Sequence, residues 1–494
     1  MIKKLLLSAF LISSLGTLTS NADNPKREFR GAWLHTVGQN HFTQRTTEEN
    51  KQYLIDQLDK MQQAGVNAVI FQVRPVADAF YISEIEPWSR YLTGEIGKAP
   101  DELWDPLQFM IDEAHARGME LHAWLNPYRS VLLSEKTPDD HITKTEPERF
   151  VIFTKRYFFD PGLPENREYI AEVVGDIVSR YDVDAIHMDD YFYPYPVKDE
   201  EFGDDKSYEK YGQGMERGDW RRDNVNKLIE ELGATIHSIK PWVRFGISPF
   251  GIWRNESSDP AGSKTNGLQN YDDLYADVIL WAKEGWIDYQ VPQLYWELDH
   301  KRASSRILAD WWNENAFDRH MYFGQDVVKS MDLNELGTKI DISRNLPSVQ
   351  GNVWWPSVQV TKNYKNVLDS LANGAQSTIA LTPEYTWLAG GNAKKVAKPS
   401  NLMIADGVLT WEYSQEDGEP SIDDVNSIVI YKLPSDKVKG ELDDASNIVA
   451  VIRGEECSWE VSDKVKPGDW IVVTALDRIN RESQPSKPIR YNPK

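Results

Sequence analysis

The chain of 494 residues contains a single cysteine, Cys457. One cysteine cannot form a disulfide within the chain, so the fold must be held together by its apolar core, whatever the redox state of its compartment. Free cysteines are among the residue types that are most often buried. We therefore expect Cys457 to be a small buried apolar side chain.

Positive charge is scarce relative to negative charge. Lys and Arg total 55 against 77 Asp and Glu, which gives a formal net charge of −22 at pH 7. A surface of this sign repels a phosphate backbone and an anionic membrane, so we expect no nucleic-acid partner. Aromatic residues are plentiful instead, with 18 Trp and 22 Tyr, and such rings suit the apolar faces of flat uncharged ligands such as sugars.

Long hydrophobic runs are missing beyond the N-terminus, where about 18 apolar residues in a row would be needed to span a bilayer. Residues 1–22 are predicted to be a secretory signal, with Lys3 and Lys4, an apolar run over 5–12 and small residues up to Ala22. We expect a mature chain that begins near Asp23 and is periplasmic or at the cell surface, with no membrane span.

One pattern recurs from residue 29 to about 375: a short apolar run, a polar loop and an amphipathic helix. Eight such βα units in succession predict a closed parallel (β/α)8 barrel. A doubly wound open sheet is the alternative, but only Gly38 follows the first run where that fold needs a glycine-rich phosphate loop. The predicted strands cover 29–37, 68–75, 120–128, 184–191, 244–251, 288–296, 320–327 and 351–357.

The sequence changes character after Gly390. We predict a barrel domain over 28–392, a linker over 393–399 and a small β-sandwich over 400–494, because short alternating runs there are separated by Asp, Gly and Ser. The last strands of this module resemble those of fibronectin type III-like modules, which are usually non-catalytic, and the linker should permit separation from the barrel. Its core is predicted to contain Trp411, Ile430, Val451 and Val472.

The carboxyl ends of barrel strands are where active sites form, and the fourth predicted strand ends in two adjacent carboxylates, Asp189 and Asp190, followed by Tyr191. On a continuous strand His187 and Asp189 would share a face and Asp190 would point away, unless the strand breaks there. We expect Asp189 to point into the barrel mouth. A loop cap or an ion pair with an arginine is the alternative role for this residue.

The sixth predicted strand ends in Gln293, Tyr295, Trp296 and Glu297. Two carboxyl groups that reach one pocket from different strands can cleave a glycosidic bond, one at the sugar carbon and one as proton donor. Glu297 is therefore the candidate acid/base, with an ordinary exposed loop glutamate as an equally weighted alternative.

Other strand ends supply groups that can hydrogen-bond to sugar hydroxyls or stack on a sugar ring. Trp124 and Trp355 are expected to lie partly in the core, and Arg74, Arg129 and Arg254 could form a positive mouth on an acidic body. The further substrate-binding candidates, from these ends and from the fourth and sixth strands, are Gln72, Asn126, His187, Tyr191, Gln293, Tyr295 and Trp296.

Three histidines on predicted strands, His35, His122 and His187, raise the alternative of a metal-dependent hydrolase. The first strand lacks a His-x-His pair and no His-Glu-x-x-His occurs, so each histidine is expected to be packed and hydrogen-bonded within the barrel. We expect no metal and no cofactor.

Several long segments, in order along 28–375, resemble the glycosyl-hydrolase-like family ten. They include Phe29-Arg-Gly-Ala-Trp-Leu, Asn67-Ala-Val-Ile-Phe-Gln-Val-Arg-Pro, His122-Ala-Trp-Leu-Asn-Pro-Tyr-Arg, His187-Met-Asp-Asp-Tyr-Phe-Tyr-Pro and Pro292-Gln-Leu-Tyr-Trp. The resemblance implies a barrel and a glycosidase, in a family that includes bacterial envelope enzymes acting on peptidoglycan strands stripped of peptides. The expected function is hydrolysis of such a glycan, and the alternative is a non-catalytic carbohydrate-binding envelope protein.

Two resemblances bear on mechanism. The segment from Asp184 to Asp189 is similar to the fourth strand of α-amylase-like barrels, whose last Asp is the nucleophile, although His187 replaces their usual Arg and no Glu ends the fifth strand. The adjacent Asp189 and Asp190 also resemble the paired carboxylates of N-acetylglucosaminidases that use the acetamide of the substrate as nucleophile. Both routes remain open on the sequence.

Overall fold

The structure is a computed structural model that describes residues 24–390, 394–414, 420–454 and 456–493. The predicted secretory signal and residue 393 of the predicted linker lie outside these ranges. No helix within them is both long and apolar enough to cross a bilayer.

Eight parallel strands close into a barrel in which each strand pairs with its neighbours in sequence and the last pairs with the first. This confirms the (β/α)8 prediction and excludes the doubly wound sheet. The strands are β1 (Phe29–Leu34), β2 (Ala68–Arg74), β3 (Glu120–Leu125), β4 (Ala185–Met188), β5 (Arg244–Ile247), β6 (Tyr289–Gln290), β7 (His320–Asp326) and β8 (Val349–Trp355).

Most strands are shorter than the apolar runs that predicted them, because the runs continue into the loops above the barrel. The clearest case is β6, which contains two residues where the run covered 288–296. Pro292 lacks the N–H that a central strand needs, so the strand ends before it. The residues beyond each strand end are thereby free to turn toward the barrel mouth.

The barrel is surrounded by one main helix after each strand, and their starts follow known capping rules. Thr46 and Glu49 form a capping box before the first helix, and Asp105 caps the second, which has Pro106 in its first turn. The main helices are α1 (Thr47–Gln63), α2 (Pro106–Ala116), α3 (Pro164–Arg180), α4 (Arg217–Ile239), α5 (Val278–Lys283), α6 (Ser305–Glu314), α7 (Leu336–Asn345) and α8 (Val367–Ser370). Further helices are Arg90–Thr93, Ile142–Thr145, Asp205–Tyr211, Asn270–Asp273, Val327–Asp332 and Ser357–Thr361.

A three-stranded antiparallel sheet, which was not predicted from the sequence, is inserted between β3 and α3. Its strands are Arg129–Leu132, Arg156–Phe159 and Phe150–Phe153, with Arg156–Phe159 in the centre. The two-residue turn at Thr154 and Lys155 has positive φ at both positions, as the tight hairpin turns that match strand twist require. The insertion starts at Arg129, directly above the barrel mouth.

The C-terminal part contains two antiparallel sheets that pack face to face into a β-sandwich. Leu409 and Trp411 of one sheet share a core with Ile430 and Val473 of the other. One sheet contains Ser400–Ala405, Val408–Glu412 and Ser458–Glu460, and the other contains Ile448–Arg453, Val425–Leu433, Trp470–Asp477 and Ile489–Arg490.

Two predictions about this module are wrong. Val451 and Val472 lie on the opposite face of their sheet, where they pack with Leu381 from the barrel side. Successive strand residues alternate between faces, and here both faces are covered, so apolar character alone could not assign the side. Cys457 is exposed, because it lies in the loop before an edge strand and not between the two sheets.

The sandwich is docked on the base of the barrel, at the amino ends of the strands. Asn480 donates a hydrogen bond to Glu120 Oε1 at the start of β3 (2.9 Å), and Asp182, just before β4, forms ion pairs with Arg453 and with Arg478 (3.0 Å). These contacts attach the sandwich to the barrel in addition to the linker, and separation of the two domains at the linker stays a prediction. They lie at the end of the barrel opposite to the carboxyl ends of the strands.

Candidate active site

A cavity of about 270 Å³ opens at the carboxyl ends of the barrel strands. This volume lies just below the range of ~300–1,000 Å³ for small-molecule sites, so the cavity suits a ligand of about one sugar unit. The lining residues are Trp33, His35, Val37, Gln72, Trp124, Arg129, Asp189, Asp190, Tyr191, Ser248, Gln293, Tyr295 and Trp355.

Asp189 and Asp190 both line this cavity because β4 ends at Met188 and the chain no longer alternates between faces. The Asp189 carboxylate is buried and accepts hydrogen bonds from Asn126 Nδ2 (3.0 Å) and Trp124 Nε1 (3.1 Å). Burial raises the pKa of Asp189, and these donors and the charge of Arg129 act against that rise. Asp189 is thus held rigidly by two N–H groups from the end of β3.

Asp190 has a different environment. Its Oδ2 accepts a hydrogen bond from the Tyr195 hydroxyl, and its Oδ1 accepts one from Gln293 Nε2 (3.2 Å). Burial, and secondarily the charge of Asp189, raise the pKa of Asp190 to about 7. At neutral pH one carboxyl of the pair can therefore carry a proton that the other lacks, which is the arrangement that acid/base chemistry needs.

Aromatic side chains form the walls of the cavity. Trp355 meets Trp33 and Trp124 at ring distances of 6.5 and 6.3 Å, and the His35 ring lies 4.8 Å from it. Burial lowers the pKa of His35 to about 4, so this ring is neutral at pH 7. Together with Tyr191 and Tyr295, these rings offer apolar faces to a sugar.

Gln72 contributes an available donor to the same cavity. Its Oε1 accepts hydrogen bonds from the backbone N–H groups of Thr36 (3.0 Å) and Val37 (2.9 Å), which fixes the amide. Its Nε2 is buried and has no hydrogen-bond partner within the described residues. A sugar hydroxyl can satisfy it.

Five of the residues predicted for the site do not line the cavity. Glu297 is exposed, and Trp296 packs against the Phe250 ring (5.3 Å). Arg74 is buried in an ion pair with Glu86 (2.6 Å). His187 lies in the barrel interior, where it accepts a hydrogen bond from Trp33 Nε1 (3.2 Å). Asn126 lies outside the lining and holds Asp189 through its hydrogen bond to that carboxylate.

One of the three arginines that were predicted to make the barrel mouth positive lines the cavity. Arg254 forms ion pairs with Asp259 and Asp272, both at 2.8 Å, and does not line the cavity. With Arg74 paired in the interior, Arg129 alone of the three lines it.

Three residues at the site were not predicted from the sequence. Trp33 and Val37 come from β1 and the loop after it, and Tyr195 reaches Asp190 from the loop after β4. The sequence suggested no sugar-binding role for the first strand end, whereas the aromatic run Tyr191-Phe-Tyr-Pro-Tyr after the Asp pair was a usable signal for Tyr195. Ser248, which also lines the cavity, directly follows β5, at one of the strand ends that were expected to supply hydrogen bonds.

The three histidines do not converge on a metal site. Tyr289 bridges His122 and His187 through hydrogen bonds of 2.8 and 3.0 Å, and His35 instead contacts Gln39. In the part of the chain that the structure describes, no group of three or more His, Cys, Asp or Glu is arranged to hold a metal ion.

A larger cleft, of about 600 Å³, lies at the junction of barrel and sandwich. No Trp, Tyr or Phe of the described residues lines it, and its carboxyl groups are already paired: Asp184 with His115 (2.8 Å), Glu120 with Arg244 (2.5 Å) and Asp59 with Arg117 (2.7 Å). It therefore offers neither a stacking face nor a free acid, and the smaller cavity is the candidate active site.

A (β/α)8 barrel with paired carboxyls in an aromatic cavity at the carboxyl ends of its strands defines a glycoside hydrolase-like barrel protein. The family model Glycosyl hydrolase-like 10 matches residues 28–335, and the chain belongs to this family of glycosidases, as its motifs predicted.

Relatives support the assignment. Glycosyl hydrolase YngK of Bacillus subtilis (strain 168) is 41% identical over 410 residues, which cover 79% of each chain. Glycosyl hydrolase DigH of Escherichia coli (strain K12) is 37% identical over 369 residues, covering 66% of this chain and 82% of that protein. Among solved structures, the PgaB (BpsB) glycoside hydrolase domain from Bordetella bronchiseptica matches with a TM-score of 0.44 at 12% identity, over 72% of this chain and all of that one.

Proposed function

We propose that this glycosidase cleaves peptidoglycan glycan strands that lack peptides, with Asp190 as the general acid and Asp189 as the carboxylate that orients the acetamide of the substrate. The observation that carries the proposal is the placement of both carboxyls in one cavity while Glu297 is exposed outside its lining. An amylase-like route would need Glu297, or another acid from a separate strand, in that cavity.

The two environments fit two different roles. A carboxyl with a pKa of about 7 holds a proton at neutral pH and can give it to the leaving glycosidic oxygen. Asp189, held by Asn126 and Trp124, can accept a hydrogen bond from the acetamide N–H of the sugar. The acetamide carbonyl oxygen then forms a bond to the anomeric carbon as the glycosidic bond breaks.

The second half of the reaction reverses the proton transfer. Asp190, now ionised, takes a proton from a water molecule, whose oxygen attacks the anomeric carbon and opens the cyclised acetamide. The sugar leaves as a hemiacetal and both aspartates return to their starting states. The protein needs no nucleophile of its own in this route.

The choice of glycan rests on three supports. The cavity has room for about one sugar unit between aromatic walls. The acetamide route requires an N-acetylated sugar, and the sequence resembles a family with enzymes that act on peptide-free peptidoglycan. We infer further that the chain is secreted through its N-terminal signal, works in the periplasm or at the cell surface, and carries a fibronectin type III-like sandwich as a non-catalytic module.

The test compares peptide-free peptidoglycan strands with the same strands after removal of the N-acetyl groups, by measuring reducing ends. We expect cleavage of the acetylated strands only, and inhibition by a sugar thiazoline that mimics the cyclised acetamide. Equal cleavage of both preparations would reject the acetamide route. Tight binding of acetylated strands with no cleavage by the folded protein would favour a carbohydrate-binding function instead.

A further inference from the structure

Arg129 is the single cationic side chain among the described residues that line the active-site cavity. It is half-buried and forms no ion pair with a carboxylate in the described part of the chain, whereas Arg74 and Arg254 are both ion-paired. A half-buried guanidinium that makes no ion-pair contact loses hydration without full compensation, so its position in a ligand cavity points to a charge that arrives with the ligand.

The side chain is held in place by groups that do not neutralise it. Its Nε and Nη2 donate hydrogen bonds to the Pro75 carbonyl (3.2 and 3.1 Å), and the guanidinium lies 4.9 Å from the centre of the Tyr191 ring. Its backbone N–H donates to Asn126 Oδ1 (3.0 Å). The Nη1 group has no hydrogen-bond partner among the described residues, so a pre-oriented donor is left for a ligand.

A purely internal role for Arg129 would be to keep Asp189 ionised. Its charge does lower the pKa of Asp189, but the hydrogen bonds to that carboxylate come from Asn126 and Trp124. The two roles differ in what they predict, because an internal role affects every substrate equally and a ligand contact affects only substrates with an anionic group.

We propose that Arg129 binds a carboxylate on the sugar in the cavity and thereby selects glycan strands whose carboxylates are free. The inference rests on the proposed function, in which the strands carry muramic acid. In a peptide-free strand the lactyl group of that sugar ends in a carboxylate, whereas in a peptide-bearing strand the same carbon is a neutral amide. A guanidinium distinguishes the two by charge and by its paired N–H groups.

The experiment uses the full chain and two chemically matched ligands, the disaccharide of N-acetylglucosamine and N-acetylmuramic acid and its lactyl carboxamide. Binding is measured by calorimetry for the Asp190→Asn protein, to prevent turnover, with and without Arg129→Gln. Cleavage of peptide-free strands and of amidated strands is measured in parallel with Asp190 intact. Lys227→Gln, on the exposed surface of α4, removes one positive charge outside the cavity as a control.

We expect Arg129→Gln to weaken binding of the carboxylate ligand by roughly 10- to 100-fold, as for loss of one hydrogen bond to a charged group, and that of the carboxamide by less than about twofold. KM for peptide-free strands should rise with little change in kcat, and Arg129→Lys should restore part of the loss. Lys227→Gln should change the binding of neither ligand.

Equal losses for both ligands, or a fall in kcat on both substrates, would show that Arg129 acts only through Asp189 and would overturn the inference. Equal binding of the two ligands by the protein that retains Arg129 would also overturn the inference. Charge-dependent binding without cleavage of any strand would support the carboxylate site and reject the proposed hydrolysis, so the two failures can be told apart.

Discussion

The carboxyl groups of Asp189 and Asp190 line one cavity although they are consecutive in the chain. Neighbouring strand residues face opposite sides of a sheet, so this arrangement requires β4 to end at Met188. The two carboxyls are also bound by different partners, Asn126 and Trp124 in one case and Tyr195 and Gln293 in the other. This difference in surroundings underlies the first three predictions.

Replacing either aspartate by asparagine should abolish most turnover, because Asp189 would lose its negative charge and Asp190 its acidic proton. Asp189→Asn and Asp190→Asn keep size and shape but lose the groups that meet the transition state, and a loss of roughly 4 kcal/mol corresponds to about a thousandfold in kcat. Glu297→Gln is the matched control and should lower turnover less than about threefold, because Glu297 is exposed outside the cavity lining.

Reducing-end assays on peptide-free strands, with circular dichroism to verify folding, give the comparison. A thousandfold loss in Glu297→Gln with near-normal turnover of Asp190→Asn would restore the amylase-like assignment and reject Asp190 as the acid.

Activity should fall as pH rises through about 7. The general acid must be protonated, and burial together with the charge of Asp189 raises the pKa of Asp190 to about 7, so the active form is lost above that pH and not above the ordinary aspartate value. The basic limb of kcat/KM reports this group. In Asp189→Asn the basic limb of the residual activity should move to lower pH, because the negative charge that helps to raise the pKa of Asp190 is gone. A basic limb that stays in place in that variant would mean that another group is the acid.

The indole N–H of Trp124 should affect the pH at which the acid limb of kcat/KM falls. Trp124→Phe keeps an aromatic ring against the sugar but removes the hydrogen bond that lowers the pKa of Asp189, so the acid limb of kcat/KM should move to higher pH, with a fall in kcat of about tenfold. Trp355→Phe is the control, because Trp355 lines the same cavity without a hydrogen bond to Asp189 in the described part of the chain. An identical pH profile for both variants would remove Trp124 from this role.

Removal of the sandwich should destabilise the barrel without changing its chemistry. A chain that ends at residue 390 loses the Asn480 bond to Glu120 and the ion pairs of Asp182, and it exposes Leu381, which is 2% accessible in the whole protein. We expect a fall in Tm of several degrees, with kcat per folded molecule retained, since these contacts lie at the base of the barrel.

A single substitution at the same contact measures its contribution to stability without the risk that a shortened chain fails to fold. Asn480→Ala leaves Glu120 with one hydrogen bond fewer and should cost about 1.5–3 kcal/mol of unfolding free energy, measured by denaturant titration. A loss of kcat in the shortened but fully folded chain would instead place the sandwich in the catalytic machinery.

Much of the architecture could be predicted from the sequence because strand and helix periodicity are local properties. Eight apolar runs with intervening amphipathic helices suffice for a barrel, and the rule that sites form at carboxyl strand ends identified the Asp pair, Trp124, Asn126 and Arg129. The residues at which the strands end were harder to predict, since apolar runs such as 288–296 continue into loops that pack on the barrel.

What remained undecided on the sequence depended on contacts between distant segments. Whether Glu297 or Asp190 reaches the cavity is set by where β4 and β6 end, and only the packing of the insertion that begins at Arg129 brings that guanidinium over Tyr191. The faces taken by Val451 and Val472 likewise depend on the docking of the sandwich. The sequence by itself therefore determined the fold class, the family and the residue types of the site, because these follow from local pattern. The tertiary structure alone decided which carboxyls share a cavity and which arginine of the described residues there makes no ion pair, because burial and charge pairing arise only when separate strand ends converge.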